Sequence, residues 1–383
     1  MRHHNSVLHE LAKHIPWAVF DRLVDEHGSD RRVRRLSTKS QLIALLYGQL
    51  SGAASLREIE GGLASHKVRL YHLGAAAPSR STLCDANARR AHAVFGGLLA
   101  DMLGQAQRPL RRKLGEAVRL IDSTGLKLSG LSQWAQFSAG VCGAKLHVVY
   151  DPDAEQPLYV EVTTAKVHDI TPAKQMPIDK GATYVFDLGY YDYQWWADLH
   201  AAGCRIVTRL KKNTPLAIVE ELAVPHGSPV LSDRIGHLPK RLAYSRTNPF
   251  RDPLREVRVR TETGKELRIL TNDLDASADE IAGLYRRRWQ VELFFRWIKQ
   301  TLRIRHFLGT SDNAVRIQVA VALIAYLLIR LAQAVAKTVK SILAFARLIR
   351  VNLMHRRPIQ HLLEPPDPIV KDQRQLALDF PQS

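Results

Sequence analysis

The sequence is short of cysteine and of long apolar runs, and each shortage excludes a class of protein. Its 383 residues include three cysteines, Cys84, Cys142 and Cys204, and none of them stands in a C-x-x-C spacing, so neither a disulfide scaffold nor a zinc ribbon is supported. The longest apolar run, residues 319–329, has eleven residues. A membrane span needs roughly 20. The first residues contain no apolar core of the signal-peptide type, so we expect a protein that is neither exported nor embedded in a membrane.

Acidic residues are also scarce relative to basic ones. The chain has 37 Asp and Glu against 55 Lys and Arg, which leaves a formal net charge of +18. An excess of this size favours an acidic partner, with nucleic acid first among the candidates. The sequence has no G-x-x-x-x-G-K-[ST] loop, so it offers no support for a nucleotide cofactor. Apolar residues make up 46% of the chain, enough for buried cores, and the length predicts two or three domains.

The first part of the chain has a helical pattern in segments separated by Gly and Pro. Ser55 and Ser79 stand where helix N-caps belong, and Glu58, three residues after Ser55, makes the first of them resemble a capping box. A loop over residues 74–78 followed by the polar start of a helix is compatible with a helix-turn-helix that faces DNA. An ordinary helical bundle is the alternative, and the pattern favours it.

From Ala117 the period changes to that of strands. An apolar run ends at Asp122, and two alternating segments flank a turn at residues 151–153, which predicts a hairpin. Further segments predict a helix, a strand ending at Asp187, a second helix and another strand. The order β-β-β-α-β-α-β predicts a mixed α/β fold of the ribonuclease-H-like arrangement, in which strand ends collect at one edge of the sheet.

Short strand-like pieces broken by Pro and Gly then predict a β-rich insertion, and a helical period returns at Ala278. A basic amphipathic segment and a polar, proline-containing tail end the chain. These changes define the predicted domains. They are a helical N-terminal domain (1–112), a catalytic domain (113–210 and 274–340), a β-rich insertion (211–273), and a basic C-terminal helix with its tail (341–383).

Asp122 and Asp187 are the first candidates for chemistry, because each ends a predicted strand and the two strands are expected to be neighbours. Their side chains would then lie close enough to share divalent cations. The alternative for each is an Asp at a strand end that accepts hydrogen bonds from turn amides, which is common.

A basic segment supplies the next candidates. At about 100° per residue, Tyr285, Arg288, Glu292 and Lys299 fall within an arc of about 60° on one helix face. Between Gly283 and His306 the segment has one acidic residue, Glu292, and seven basic ones: Arg286, Arg287, Arg288, Arg296, Lys299, Arg303 and Arg305. A solvated helix normally intersperses both signs, so we interpret Glu292 as a third metal ligand beside phosphate-binding groups. A basic helix with one internal ion pair is the alternative.

These four residues fill the spacing Y-x2-R-x3-E-x6-K, which resembles the signature of DDE transposases of the insertion sequence 4 family. The segments LIDSTGLKL around Asp122 and VFDLGYYD around Asp187 resemble the surroundings of that family's two catalytic aspartates. The resemblance extends over most of the chain. It implies a ribonuclease-H-like domain with a β-rich insertion between the second Asp and the Glu, preceded by a helical domain that binds DNA ends.

The resemblance also implies a mechanism. Asp122, Asp187 and Glu292 would hold two Mg²⁺ ions, for which Mn²⁺ is a possible substitute, and these ions would drive cleavage of phosphodiesters and their transfer to new strands. Arg288 and Lys299 would hold phosphates, with Tyr285 supplying a hydroxyl. The partners would be double-stranded DNA of the element's terminal inverted repeats and of the target, bound by a dimer in the synaptic complex.

The expected location is the bacterial cytoplasm, with association to the nucleoid through DNA. Two other functions stay open at this point. One is a metal-dependent nuclease without strand transfer, and the other is a non-catalytic DNA-binding repressor derived from a transposase. All three carboxylates are present, which argues against the repressor.

Two further positions carry weaker hypotheses. Trp289 could stack on a base turned out of the duplex, although we favour a core position for this side chain. His168 and Asp169 follow the third predicted strand, where they could order a loop at the active site. Capping of the next helix by Asp169 explains the pair equally well.

Overall fold

The computed structural model describes residues 5–107, 117–224, 227–241, 247–302, 304 and 307–363. The predicted boundary between residues 112 and 113, the tail from residue 364, and Arg303 and Arg305 lie outside these ranges. Within the described ranges the protein has a helical N-terminal region and one large mixed sheet, so the predicted mixed α/β class is confirmed.

The regular secondary structure described in the N-terminal region is helical. Its helices are α1 (Val7–Ala12), α2 (Trp17–Glu26), α3 (Thr38–Ser51), α4 (Leu56–Ser65), α5 (Lys67–Leu70), α6 (Arg80–Arg89) and α7 (His92–Gln107). Both predicted caps are confirmed, since Ser55 accepts a hydrogen bond from the amide of Glu58, and Ser79 from that of Thr82. The reciprocal capping box is at Ser79, however. Glu58 reaches back to the amide of Ala54 instead of that of its cap.

Ten strands form the sheet. They are β1 (Val118–Lys127), β2 (Gln136–Ser138), β3 (Val141–Asp151), β4 (Gln156–Thr164), β5 (Thr183–Val185), β6 (Arg205–Arg209), β7 (Ala217–Leu222), β8 (Val230–His237), β9 (Leu254–Arg260) and β10 (Glu266–Thr271). The order is β2-β3-β1-β5-β6-β10-β9-β8-β7, with β4 paired to β3. Two helices, α8 (Ile170–Ala173) and α9 (Tyr193–Ala201), connect β4 to β5 and β5 to β6. The predicted hairpin is β3–β4.

The β-rich stretch after Lys211 extends the same sheet. Its last strand, β10, pairs antiparallel with β6, and β9, β8 and β7 continue outward. The segment of β7 was not among the predicted strands, since five of its six residues are exposed and it lacks the alternation of a half-buried strand. Extension of the sheet places the strands between Asp187 and Glu292 at one side of the central strands.

The C-terminal helices are α10 (Ala278–Arg287), α11 (Trp289–Thr301), α12 (Asp312–Val335), α13 (Ile342–Asn352) and α14 (Ile359–Leu363). The single helix expected from Tyr285 to Lys299 is wrong in one respect, because α10 ends and α11 begins on either side of Arg288. There the amides of Arg288 and Val291 bond to carbonyls three residues back. The tighter turn leaves the Arg288 side chain at the junction of two helices.

Helix α12 is the one helix among the described ranges that is long and apolar enough to cross a membrane, and 83% of its most apolar window is buried inside the protein. It packs against α1, α3, α6 and α7 as well as against α11 and α13. Its buried side chains therefore belong to one hydrophobic core with the N-terminal helices and one face of the sheet. The opposite face of the sheet has a separate core, around Phe186, Trp195 and Trp196.

Candidate active site

The two aspartates stand at matching positions on neighbouring parallel strands. Leu120 of β1 is in register with Val185 of β5, and Asp122 and Asp187 each follow two residues later. Because side chains alternate along a strand, the two aspartates share a side of the sheet with Leu120 and Val185. The structure thus brings Asp122 and Asp187 together at the end of β5, as the sequence predicts.

Asp187 also caps the short helical turn that follows β5, and its Oδ1 accepts a hydrogen bond of 2.8 Å from the amide of Gly189. A Cβ at Gly189 would lie 3.0 Å from Oδ1 of Asp187 and 3.2 Å from Oδ2 of Asp169. A side chain at position 189 would therefore crowd both carboxylates and displace them by a few tenths of an ångström.

Arg288 links the other two predicted carboxylates. One guanidinium nitrogen, Nη1, lies 3.1 Å from Oδ2 of Asp122, and Nη2 lies 2.7 Å from Oε1 of Glu292. The side chains of Asp122 and Arg288 are 15% and 17% exposed, and that of Glu292 is 30% exposed. The α10–α11 junction thereby brings Glu292 to Asp122, more than 160 residues away in the sequence. Asp122 lies in the middle of β1, which continues to Lys127, so the prediction that the strand ends at Asp122 is wrong.

Lys299 and Tyr285 complete the predicted group. The Lys299 ammonium donates a hydrogen bond of 2.5 Å to Oγ1 of Thr124, on the same side of β1 as Asp122. Tyr285 is buried in the last turn of α10, and the guanidinium carbon of Arg288 lies 5.9 Å from the centre of its ring. Burial raises the pKa of the Tyr285 hydroxyl, so this group stays protonated at neutral pH.

The charge balance of the site suits a cation. Burial is the main cause that raises the pKa of Asp122 to about 7; the amide of Ser123 and Arg288 oppose it, while Asp187 and Glu292 add to it. Three carboxylates thus face one arginine, and oxygen ligands of this kind are those that divalent Mg²⁺ prefers. As they stand, no three acidic, His or Cys side chains of the described ranges are grouped closely enough to hold an ion. Arg288 lies between Asp122 and Glu292 instead.

Asp169 is a fourth carboxylate near the site, and its role is not the helix cap that the sequence allows. Its side chain makes no cap hydrogen bond to α8. It accepts hydrogen bonds of 2.9 Å from Oγ of Ser123 and 3.0 Å from Nζ of Lys145, on the face of β1 opposite Asp122. Burial raises the pKa of Tyr190 well above its usual value, and the negative charges of Asp122, Asp169 and Asp187 raise it further. The adjacent His168–Asp169 pair was the sequence signal for this cluster.

Trp289 is 52% exposed, so the core position that the sequence favours is wrong. The core of α11 is formed by other side chains, among them Val291, Phe294 and Ile298. The residue that follows Arg288 therefore presents a large aromatic surface to solvent beside the carboxylate group.

Comparison with known proteins covers most of the chain. A family model described as a transposase DDE domain matches residues 113–328, and a domain of unknown function matches residues 3–76. A protein of Sinorhizobium fredii named as transposase y4zB is 41% identical over 76% of this chain and 81% of its own length. A transposase for insertion sequence element IS5377, from Geobacillus stearothermophilus, is 32% identical over 62% of this chain and 63% of its own length.

A weaker relative is a transposase for insertion sequence element IS4SA, from Synechocystis, which is 33% identical over 20% of this chain and 24% of its own length. One solved structure, a piggyBac transposase synaptic complex with hairpin DNA, aligns with 94% of this chain and 82% of its own at 11% identity. Its TM-score is 0.45, too low to support any argument. The transposase match alone covers more than half of the chain and spans every predicted site residue. The chain therefore belongs to the DDE transposases, enzymes that act on DNA and depend on a divalent metal ion.

Proposed function

We propose that this enzyme binds the terminal inverted repeats of an insertion sequence, cleaves the element's ends and joins them to target DNA. The observation that carries the proposal is the convergence of Asp122 and Asp187, from adjacent parallel strands, with Glu292, which Arg288 links to Asp122. The same site can serve cutting and joining, because both steps displace one oxygen at phosphorus by another.

We assign Asp122, Asp187 and Glu292 as the catalytic carboxylates and as the residues that would hold two Mg²⁺ ions. Bound there, the ions would lower the pKa of a nucleophilic hydroxyl and stabilise the departing 3′ oxygen. The Ser123 amide fixes one oxygen of Asp122 at 2.8 Å, so that the carboxylate is oriented before any ligand arrives. Gly189 does the same for Asp187.

Arg288 and Lys299 are proposed to hold the phosphates on either side of the cleaved bond. Arg288 offers a planar fork of donors that matches two phosphate oxygens, and Lys299 offers a compact charge. In the protein alone these cations bind Asp122, Glu292 and Thr124. Exchange of those partners for phosphate would release the carboxylates for metal. The protonated hydroxyl of Tyr285 would donate to a phosphate oxygen.

The helical N-terminal region is proposed to bind the DNA ends, and a dimer is proposed to hold two ends in the synaptic complex. Lys and Arg outnumber Asp and Glu in the N-terminal region, which agrees with a role in DNA binding. We likewise retain the predicted domain division as a working hypothesis, with the strands of the β-rich stretch joined to the catalytic sheet.

The test is a cleavage and joining assay. Purified protein is incubated with Mg²⁺, a target plasmid and a duplex that carries the inverted repeat found beside its gene. Asp122→Ala, Asp187→Ala and Glu292→Ala should each lower cleavage by about 1,000-fold or more while duplex binding persists. Asp153→Ala is the matched control, because Asp153 is an exposed acid paired with Arg287 outside the carboxylate group.

Each outcome of the assay identifies one of the three candidate functions or tests one residue assignment. Joined products support the transposase, and cleavage without joined products would instead identify a nuclease. Absence of cleavage by the wild type in both Mg²⁺ and Mn²⁺, with binding intact, would identify a repressor. Full cleavage by any one of the three carboxylate variants would refute its assignment.

A further inference from the structure

A groove on the helical N-terminal region lies apart from the carboxylate group. Its volume is about 440 Å³. One wall is the segment that joins α2 to α3, the other is the short turn after α5, and the floor is made of small residues. The lining includes Asp30, Arg34, Arg35, Tyr71, Gly74 and Ala76. None of these residues belongs to the transposase domain match, and the match that covers them has no assigned function.

The first wall carries uncompensated positive charge. Arg31, Arg32, Arg34 and Arg35 are all exposed, and within the described ranges their side chains form no ion pair or hydrogen bond. Four cations within five residues repel one another, so this cluster costs free energy in the unbound protein. An anionic partner would remove that cost.

The acid in the groove cannot act as that partner. Asp30 already accepts hydrogen bonds of 2.7 Å from the amide and the hydroxyl of Thr38, and Arg90 lies 3.9 Å away. Its charge is therefore committed to the start of α3. Its side chain is 36% exposed, so the groove presents two arginines, Arg34 and Arg35, against this one acid.

The second wall presents an aromatic ring. Tyr71 is 83% exposed, and its neighbour His72 packs edge-on against it at 5.5 Å. An exposed ring opposite two adjacent cations suits a ligand with alternating apolar and anionic groups, as in a sugar-phosphate backbone. The floor fits such a ligand as well. Gly74 has a positive φ of 61°, and the amide of Ala76 donates a hydrogen bond of 3.0 Å to Oγ of Ser40. The floor is therefore formed by backbone and small side chains, which leaves room for the ligand.

We propose that this groove binds the phosphate backbone of duplex DNA, with Arg34 and Arg35 on phosphates and Tyr71 against the deoxyribose. The inference rests on the proposed function, since it assigns to this groove part of the DNA contact that the function requires. The contact is with the backbone and is independent of sequence, so it supplies affinity and position rather than recognition of the repeat.

The test measures binding of the full chain to a labelled mixed-sequence duplex over a range of salt concentrations, in EDTA so that no cleavage occurs. Arg34→Ala/Arg35→Ala should weaken binding about tenfold and reduce the slope of log affinity against log salt by about two, one for each lost phosphate contact. Tyr71→Ala should weaken binding without change in that slope, whereas Tyr71→Phe should bind as the wild type does.

The matched control is Lys180→Ala/Lys265→Ala, which removes two exposed cations from the sheet region. Neither lysine forms an ion pair with another described residue, and their removal should leave affinity and slope nearly unchanged. Melting temperatures and far-UV circular dichroism spectra confirm that each variant is folded. The proposal would be refuted if the arginine variant bound duplex with the affinity and the salt slope of the wild type. It would also be refuted if the wild type bound polyglutamate as tightly as duplex, or bound oligo(dT) more tightly than duplex. If the wild type itself failed to bind duplex, the proposed function would fail first, so the two failures are distinguishable.

Discussion

Arginines serve opposite purposes in two regions of this protein. Arg288 is 17% exposed and contacts two carboxylates, whereas Arg34 and Arg35 are exposed and have no acidic partner among the residues that the structure describes. A half-buried pair loses little to salt, while an exposed cation is screened over about 10 Å in ordinary buffer. The first arrangement therefore fixes geometry, and the second supplies attraction that depends on ionic strength.

The comparison predicts separable defects. Changes at Arg288 should alter the chemical step and the stability of the site, with little effect on the salt slope of DNA binding. Changes in the groove should do the reverse. The following predictions test the buried side of that contrast, from the largest expected effect to the smallest.

Arg288→Ala should lower the rate of cleavage at saturating DNA by about 100-fold, because it removes a preorganised donor from the reacting phosphate. It should also reduce the free energy of unfolding of the metal-free protein by about 2 kcal/mol, since Asp122 and Glu292 lose their shared cation. Arg288→Lys should recover only part of either quantity, because an ammonium cannot contact both carboxylates as a fork does. Steady-state cleavage and urea unfolding measure the two effects. A loss confined to the salt slope would contradict the contrast.

The second prediction concerns the pH dependence of stability. The pKa of Asp122 is raised to about 7 in the folded protein. An Asp in an unfolded chain has a pKa of about 3.9, so between these values the folded state binds more protons. The stability contributed by this protonation is complete below about pH 4 and is lost as pH rises to about 7.

Urea unfolding of the metal-free protein from pH 4 to pH 8 tests this. The difference in unfolding free energy, wild type minus Asp122→Asn, should fall by about 2 to 4 kcal/mol over that range. Mg²⁺ should restore part of the loss at pH 8 in the wild type but not in the variant. A difference that stays constant with pH would show that Asp122 is ionised normally.

The smallest effect is expected at the pair formed by Asp169 and Lys145, whose side chains are 24% and 25% exposed. Asp169→Asn and Lys145→Gln should each cost about 1 kcal/mol of stability, and the double variant should cost no more than either one. Because Asp169 also holds Ser123, beside Asp122, its variant should slow cleavage about tenfold with duplex affinity unchanged. Strict additivity in the double-mutant cycle would show that the pair is not coupled.

The parts of this fold that were predictable depend on local patterns. Alternating segments around a turn define β3 and β4. A serine followed three residues later by Glu58 or Thr82 defines the caps at Ser55 and Ser79. The placement of Asp122 and Asp187 followed from two strands that were predicted to be neighbours, although β1 continues past Asp122. Glu292 was indicated by its position as the one acid in a basic segment, and the resemblance to a known signature agreed with it.

The parts that were not predictable depend on contacts between distant segments. The pairing of β10 with β6 and the exposure of Trp289 are decided by which surfaces meet, and no local period encodes that. Asp169 meets Ser123, 46 residues earlier, so its identity as a partner was hidden. The break at Arg288 was missed because all the residues around it tolerate a helix.

The position of α12 has a consequence for shortened products of this gene. This helix lies in the core of the N-terminal helices although it is encoded near the end of the chain. A polypeptide that stops before it lacks the surface on which α3 and α7 are packed, and we expect it to be degraded. Nonsense mutations upstream of α12 should therefore abolish DNA binding and DNA cleavage together. The cell should not accumulate a fragment that binds the element's ends and blocks the intact enzyme.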